Sequence, residues 1–420
     1  MRIVHRFAVL RTLFSKKDFR RLCISQVFGG TGEWLATLAL LALVWDKTHS
    51  AFASGIVLAF RILPAALVGG FLGALVDKLD RRRVLVACTA GRAVIYGSLP
   101  FVSDIAPVLG LALLAEMATI GYVSARDATL PRLVPSEHLA TANAVSMGSA
   151  FGTMPVGSAI FAGLTWLQAR VMSPGVDLAL LTAAATLVAA TVLLGRIRSA
   201  AGIPQRVPAT AADTSEPENK IRLRQVLRED PTLRRVVVGA VIAACCGGSL
   251  LTLGLAYVRG TLHAGPAAYG GLLTSFCAGA LIGTVAVQRA RRVLPKMFHL
   301  GTGVMGLILL SMAVFPSTVV GYGMGLIFGA AAVVTMLGGI TILQDRVHDA
   351  VRGRAFAAAH GGLRTLAVGV GLLAAWGANA LGAGRVLWAM DGTQVMLAAA
   401  GLVLLLAGAV LLRPALTARA

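Results

Sequence analysis

The chain has 420 residues, of which 57% are hydrophobic and 13% charged, and its mean hydropathy is +0.80. A soluble domain carries about 25% charged and about 45–50% apolar residues, so this composition excludes an ordinary soluble protein and predicts one that faces lipid. The net charge of +20 would suggest nucleic acid in a soluble protein, but the basic residues lie in short clusters between apolar runs, which argues against a nucleic-acid partner.

The chain opens with a basic amphipathic segment, residues 1–21, which is expected to be cytoplasmic. No short cleavable leader precedes the first apolar run, so the first span is expected to serve as the insertion signal. A spanning helix needs about 20 consecutive, mostly apolar residues, and this rule predicts twelve spans. They lie at residues 22–45, 51–75, 84–103, 107–128, 139–168, 176–195, 234–258, 267–288, 298–315, 319–343, 355–382 and 393–412.

The basic residues predict how the spans are oriented. If both termini lie in the cytoplasm, the inner segments, counted with the adjoining inner ends of the spans, hold 31 Lys and Arg residues, and the outer loops hold four. Cytoplasmic loops of membrane proteins carry an excess of Lys and Arg, so this orientation is favoured over the inverted one. The other three arginines, Arg61, Arg92 and Arg364, fall within predicted spans.

One long connection divides the spans into two sets of six. Residues 196–232 are rich in Pro, Ala, Thr and Glu and are expected to form a flexible cytoplasmic linker. Its last part, IRLRQVLRED, fits either an amphipathic helix along the inner leaflet or a solvated linker helix. The predicted bundles are therefore 22–195 and 233–412, followed by a cytoplasmic tail at 413–420.

The two halves repeat each other. The sequence FRRL at 19–22 matches LRRV at 233–236, and Gly73 after the second span matches Gly283 after the eighth. Equivalent halves with the same topology indicate two bundles related by an axis along the membrane normal. A substrate site then belongs at their interface, near mid-membrane.

The loop between the second and third spans has the sequence GALVDKLDRRR at 73–83. It resembles the loop signature of the major facilitator superfamily, G-x-x-x-D-[RK]-x-G-x-[RK]-[RK], with Asp80 in place of the second glycine. The stretches FRRL, GEWL, LAFRILPAALVGG, LPRLVPSEHLATANA and LQDRVHDAVRGRAFA resemble the branch with siderophore exporters, macrolide-type drug exporters and lysophospholipid transporters. The resemblance implies an all-α membrane protein of the facilitator fold, with 12 transmembrane helices in two six-helix bundles.

The resemblance also implies a conformational gate. In the family, the aspartate of this loop meets the N-terminal end of the eleventh span and locks the outward-facing state, a role that falls here on Asp77. In the alternative interpretation, the loop cations only anchor the loop to anionic lipid. The residues assigned to the gate are Gly73, Asp77, Lys78, Arg81, Arg82 and Arg83.

Ionisable residues within the spans indicate a second site. A charged side chain at mid-bilayer costs about 2.5–3.5 kcal/mol, so such a residue is functional by default. From their positions along the spans, Glu33, Arg61 and Glu116 are expected to meet near mid-membrane. A Glu33–Arg61 pair would leave Glu116 to bind a proton, or the reverse; the alternative is a static structural ion pair. Arg364 is expected to meet an anionic substrate group or to face water.

Other patterns concern chemistry and packing. No nucleotide loop G-x-x-x-x-G-K-[ST], no HExxH motif and no nucleophile elbow occurs, so an enzyme is not expected. The five cysteines lie in apolar runs without metal spacing and are interpreted as core residues. Gly148, Gly152, Pro155, Gly157 and Gly163 in the fifth span and the glycine pairs at 69/73 and 279/283 predict close helix packing.

These patterns predict a secondary transporter of the bacterial inner membrane that acts by alternating access. We expect it to export a small amphiphilic compound, such as a drug, antibiotic or siderophore, as a monomer with the proton gradient as its energy source and no cofactor or metal. Two alternatives stay open. One is a transporter of lysophospholipid or another lipid, and the other is a non-transporting membrane receptor or assembly factor.

Overall fold

A computed structural model describes residues 10–76, 78–197, 231–289, 294–346, 349–382 and 390–417. The first half contains α1 (Lys17–Thr48), α2 (Ala51–Val76), α3 (Arg81–Ser98), α4 (Ile105–Leu133), α5 (Leu139–Phe151), α6 (Met154–Val171) and α7 (Asp177–Gly195). The second half contains α8 (Pro231–Ala256), α9 (Pro266–Arg289), α10 (Leu294–Val314), α11 (Thr318–Arg346), α12 (Asp349–Leu381) and α13 (Gly392–Thr417). A π-helical turn, Tyr257–Thr261, extends α8.

Every predicted span coincides with helix in the structure. Within the described ranges, nine helical segments are long and apolar enough to cross a membrane, and shorter apolar segments lie at Ala51–Arg61 and Thr365–Leu381. Large apolar side chains such as Phe71 and Val94 are 73% and 71% exposed, an arrangement that lipid stabilises and water does not. The predicted all-α, multi-pass membrane fold is confirmed.

The predicted fifth span, 139–168, is divided into two helices. Helix α5 ends at Phe151, and the Gly152 N–H donates to the Gly148 carbonyl at 2.9 Å. Pro155 follows in the first turn of α6, where the N–H that proline lacks would have no helical partner. The apolar run is therefore continuous, although the helix is not.

The chain forms two compact units. The first consists of the described residues within Met1–Thr48 and Leu63–Val207, and the second of those within His49–Ile62 and Pro208–Ala420. Helix α2 thus begins in the second unit, although the sequence predicted all of it in the first bundle. Asn379 of α12 fixes this start, because its side chain accepts from the Ala51 N–H at 3.1 Å and donates to the Ser50 hydroxyl at 2.6 Å.

Within the first unit, α1 packs against α6 and α7, and α3 packs against α4 and α7. Gly157 of α6 lies directly against α1, since a methyl group there would stand 2.7 Å from the Trp34 side chain and 3.2 Å from the Thr31 carbonyl oxygen. The close packing predicted at Gly157 is confirmed. At Gly69, Gly148 and Gly163 the predicted close packing is wrong, because a methyl group at any of them would meet no atom within 4 Å in the described structure.

Within the second unit, glycine allows two pairs of helices to cross closely. A methyl group at Gly279 or Gly283 of α9 would collide with the carbonyl oxygens of Leu326 or Ala330 of α11, which confirms the predicted packing of this pair. Helices α8 and α12 meet in the same way at Gly248. Beside that contact, the Thr252 hydroxyl donates to the Gly371 carbonyl at 2.9 Å.

Candidate functional site

A deeply buried ion pair joins α1 to α3. Arg92 Nη1 lies 2.8 Å from Glu33 Oε2, and the two side chains are only 4% and 12% exposed. The Tyr96 hydroxyl donates to the other carboxylate oxygen, Glu33 Oε1, at 3.2 Å. Arg92 and Tyr96 are four residues apart and therefore share one face of α3. Both oxygens of Glu33 are thus held by groups from the same helix.

The Arg92 guanidinium also reaches α4. Its Nη1 donates to Thr119 Oγ1 at 3.4 Å, and its carbon lies 4.8 Å from the centre of the Tyr122 ring, within range of a cation–π interaction. Arg92 Nε is buried and has no hydrogen-bond partner in the part of the chain that the structure describes. The cation therefore joins three helices, and Glu33 balances its charge.

Glu116 lies beside this network. It is buried, at 6% exposure, and precedes Thr119 by one turn of α4, so the two residues share a helix face. Glu33 and Glu116 are thus both largely withdrawn from solvent in the first unit, and their predicted meeting with Arg61 near mid-membrane stays a prediction. Two carboxyl groups and one guanidinium are thus buried on α1, α3 and α4.

The structure shows an ionic partner of Glu33 that the sequence did not suggest, and the expected Glu33–Arg61 pair stays a prediction. The sequence suggested Arg61, but the described ion pair of Glu33 is with Arg92. Arg61 is half-buried and lies in the part of α2 that belongs to the second unit. Arg364 lies in α12, but its side chain falls outside the described part of the structure.

The basic loop ahead of α3 is tied to the ends of other helices. Asp80, which replaces the motif's glycine, caps α3 by accepting from the Arg83 N–H at 2.9 Å. Arg81 donates to the Ala128 carbonyl of α4 at 2.6 Å, and Arg82 donates to the Gly195 carbonyl that ends α7. These cations meet carbonyl groups near helix C-termini, where positive charge is favoured.

The other predicted gate residues have no contacts that test their role. Lys78 and Arg83 are exposed. Asp77 lies outside the described residues, and Gly73 lies in α2 with surroundings that are outside them too. The gate therefore stays a prediction.

The second unit encloses an apolar cavity of about 660 Å³ between α8, α9, α10, α11 and α12. Its lining includes Leu251, Phe276, Met305 and Phe328, and the described lining contains no charged side chain. Tyr269 and Thr335 supply hydroxyl groups. Thr335 Oγ1 is buried and has no hydrogen-bond partner among the described residues. Such a cavity suits a largely apolar ligand with a small polar group.

A sequence model of the Major Facilitator Superfamily matches residues 22–372. The chain belongs to this superfamily. Among its relatives is an uncharacterized MFS-type transporter of Mycobacterium tuberculosis, 34% identical over 148 residues, which are 34% of each chain. The uncharacterized MFS-type transporter YfiS of Bacillus subtilis is 27% identical over 133 residues, 31% of this chain and 32% of its own. The matched segment thus spans about a third of each relative.

Solved structures of superfamily members share the fold. A bacterial homolog of the human lysosomal transporter Spinster superposes with a TM-score of 0.70 at 13% identity, over 94% of this chain and 96% of its own. The nucleoside transporter NupG gives 0.67 at 13% identity, over 94% and 98%. A bacterial homologue of the iron transporter ferroportin gives 0.65 at 16% identity, over 94% and 98%. At these identities the likeness shows the facilitator fold.

In this superfamily member, Arg92 is the residue of the buried network that the sequence did not predict as part of the site. Arg92 has the same sequence feature that identified Glu33, a charged residue within an apolar span. At the helical rise per residue, Arg92 lies about 16 Å from the start of α3. Depth along a span does not say which neighbouring helix a side chain faces. The pairing of Glu33 with Arg92 therefore needed the structure.

Proposed function

We propose that this superfamily member exports a small amphiphilic compound from the bacterial cytoplasm in exchange for protons, by alternating access. The apolar cavity of the second unit carries the proposal. Burial of apolar ligand surface in it contributes about 25 cal/mol per Å², whereas a polar or charged solute would lose its water there for few hydrogen bonds. The substrate class that fits is a largely apolar molecule with one or two polar groups.

The buried network supports the proton as the coupling ion. Protonation of Glu33 would remove the negative charge that balances Arg92, and an uncompensated buried charge is strongly unfavourable. Proton binding is therefore linked to a rearrangement that gives Arg92 another partner or water. Glu116, on the same face of α4 as Thr119, is the second carboxyl group available to this exchange.

The test is substrate-driven proton movement in proteoliposomes that contain a pH-sensitive dye. The panel contains apolar cations, neutral drug-like dyes, a siderophore, a lysophospholipid and a sugar. We expect the amphiphilic compounds to drive proton flux and the sugar to drive none. Val241→Phe fills the cavity and should reduce the flux at least about tenfold, since a blocked apolar site loses its main binding free energy.

The matched control is Val238→Phe, the same change on the exposed side of α8, where Val238 is 45% exposed. It should transport like the unsubstituted protein. Equal activity of Val241→Phe and Val238→Phe would refute the cavity as the substrate site. Proton flux driven by the lysophospholipid alone would indicate lipid transport in place of drug export. Proton flux driven by the sugar would refute the proposed substrate class.

A further inference from the structure

A strongly basic cavity of about 810 Å³ lies in the first unit, where α1 and α3 begin and α4 and α7 end. In the described part of the chain, its lining has one carboxylate, Asp18. Against that single negative charge stand six basic residues, Lys16, Lys17, Arg21, Arg82, Arg132 and Arg196. So many like charges around one space repel each other, and an anion in the cavity would relieve that repulsion.

Hydrogen bonds hold part of this lining in place without cancelling its charge. Arg21 Nη1 donates to the Arg196 carbonyl at 2.9 Å and to Asp18 Oδ1 at 2.9 Å. Arg82 donates to the Gly195 carbonyl. A neutral carbonyl orients a guanidinium but leaves its positive charge intact. The cavity is therefore a cationic site in which, among the described lining residues, Asp18 alone offsets the charge.

The position of the cavity relates it to the lipid surface. It lies at the end of the first unit that the basic residues predict to face the cytoplasm. Beside it, a helical segment at residues 10–15 precedes α1, with Leu13 fully buried and Phe14 37% exposed. The Phe14 ring packs edge-on against that of Phe19, with centroids 5.7 Å apart. Basic and aromatic side chains meet here as they do at a membrane interface.

We propose that this cavity binds a phosphate group, and that an anionic phospholipid of the inner leaflet supplies it. Guanidinium groups match phosphate oxygens with paired, charge-assisted hydrogen bonds, and four of the six cations are arginines. Basic pockets between spanning helices on the cytoplasmic side bind such headgroups. Its lining shares no residue with that of the proposed substrate cavity, and the proposal does not depend on the direction or the substrate of transport.

The test uses the full-length protein in nanodiscs of zwitterionic lipid, with Tm and bound lipid as readouts, the latter by native mass spectrometry. Addition of cardiolipin or phosphatidylglycerol should raise Tm, because a ligand that binds only the folded state stabilises it. Arg132→Gln/Arg196→Gln should weaken this binding by roughly tenfold or more, the loss expected for one or two charge-assisted hydrogen bonds. Without anionic lipid, the Tm of this double variant should equal or exceed that of the parent protein, because repulsion among the lining cations is reduced.

The control Arg11→Gln/Arg20→Gln removes two exposed cations from the same end of the protein, outside the cavity lining. It should keep the affinity within about twofold, since distant exposed charges are screened. An equal loss of lipid affinity in both double variants would show only general electrostatic attraction between basic residues and anionic lipid, and would overturn the proposed site. A lower Tm of Arg132→Gln/Arg196→Gln without anionic lipid would also overturn the proposed site, since those arginines would then stabilise the folded protein itself.

A second arm separates the two sources of phosphate. Inorganic phosphate or pyrophosphate is added to the same nanodiscs without anionic lipid. No shift in Tm with either salt, together with a shift with anionic lipid, supports the lipid headgroup. An equal shift in Tm with pyrophosphate would support a phosphate-binding site, but its ligand would then be a soluble anion. If neither lipid nor salt changes Tm or is retained, the proposal fails.

Discussion

At the scale of single residues, the interior of the first unit depends on a balance between two charges. Glu33 and Arg92 are both withdrawn from solvent, and each is the described counter-charge of the other. Removing one partner of a buried pair costs about 3–5 kcal/mol, because the remaining charge loses its compensation. Replacing both by neutral groups of similar size is often neutral for stability. The contribution of the pair to folding stability can therefore be measured separately from its contribution to transport.

We expect Arg92→Met and Glu33→Gln, each alone, to lower Tm in detergent and to abolish substrate-driven proton flux. The combined variant Glu33→Gln/Arg92→Met should recover most of the lost Tm and none of the flux. Recovery follows because neither member of the pair is left without the other, and the flux stays absent because no carboxyl group at position 33 can exchange a proton. Intrinsic fluorescence on heating and a pH dye in proteoliposomes provide the two measurements.

The matched control for these variants is Glu137→Gln, whose carboxylate is 75% exposed beside His138. Both readouts should be unchanged there, because water screens an exposed charge. Full proton flux in the combined variant would show that the Glu33–Arg92 pair is a structural ion pair with no part in coupling. A combined variant as unstable as the single ones would mean that the two side chains do not compensate each other.

The sequence could identify residues of this site but not their partners. Glu33 and Glu116 stand out because a carboxylate within an apolar span has few explanations other than function or pairing. Which cation meets Glu33 depends on the rotation of α3 about its axis and on the neighbours that α2 selects. Tertiary packing sets both, so the pairing of Glu33 with Arg92 could not be predicted from the sequence.

At the scale of helices, apolar length predicted the position of each span, because a bilayer imposes a minimum length on any helix that crosses it. It could not predict the break between α5 and α6. There the chain stays apolar, and only the backbone preferences of Gly152 and Pro155 mark the end of one helix and the start of the next. Hydropathy measures the environment of a segment and is insensitive to such a turn.

The closeness of helix contacts predicts opposite changes in Tm when two glycines are replaced by alanine. Gly279→Ala should lower Tm, because its methyl group would collide with the Leu326 carbonyl and push α9 away from α11. Gly163→Ala in α6 should raise Tm slightly, since no atom lies within 4 Å of the added methyl and alanine favours a helix over glycine by about 0.5–1 kcal/mol. Thermal unfolding of both variants in one detergent is the measurement. A stabilising Gly279→Ala would show that α9 and α11 are not in close contact.

At the scale of the whole molecule, the distribution of charge bears on orientation and on the basic cavity alike. The 31 Lys and Arg residues of the predicted inner segments include all six that line the cavity. Successive spans of a multi-pass protein cross the membrane in opposite directions, so the connections before α4 and before α5 are predicted to lie on opposite sides. Ser103 and Glu137, one in each connection, are therefore expected on opposite sides of the membrane.

This placement makes the orientation testable on intact cells. Ser103→Cys should react with a membrane-impermeant maleimide added outside, because the connection before α4 is exposed and predicted to be external. Glu137→Cys should react only after permeabilisation, since it lies in the connection before α5, which is predicted to be internal. The unsubstituted protein sets the background, because its five cysteines are buried or half-buried. The opposite pattern would place the basic cavity outside the cell, beyond the anionic inner leaflet, and would exclude a lipid of that leaflet as its ligand.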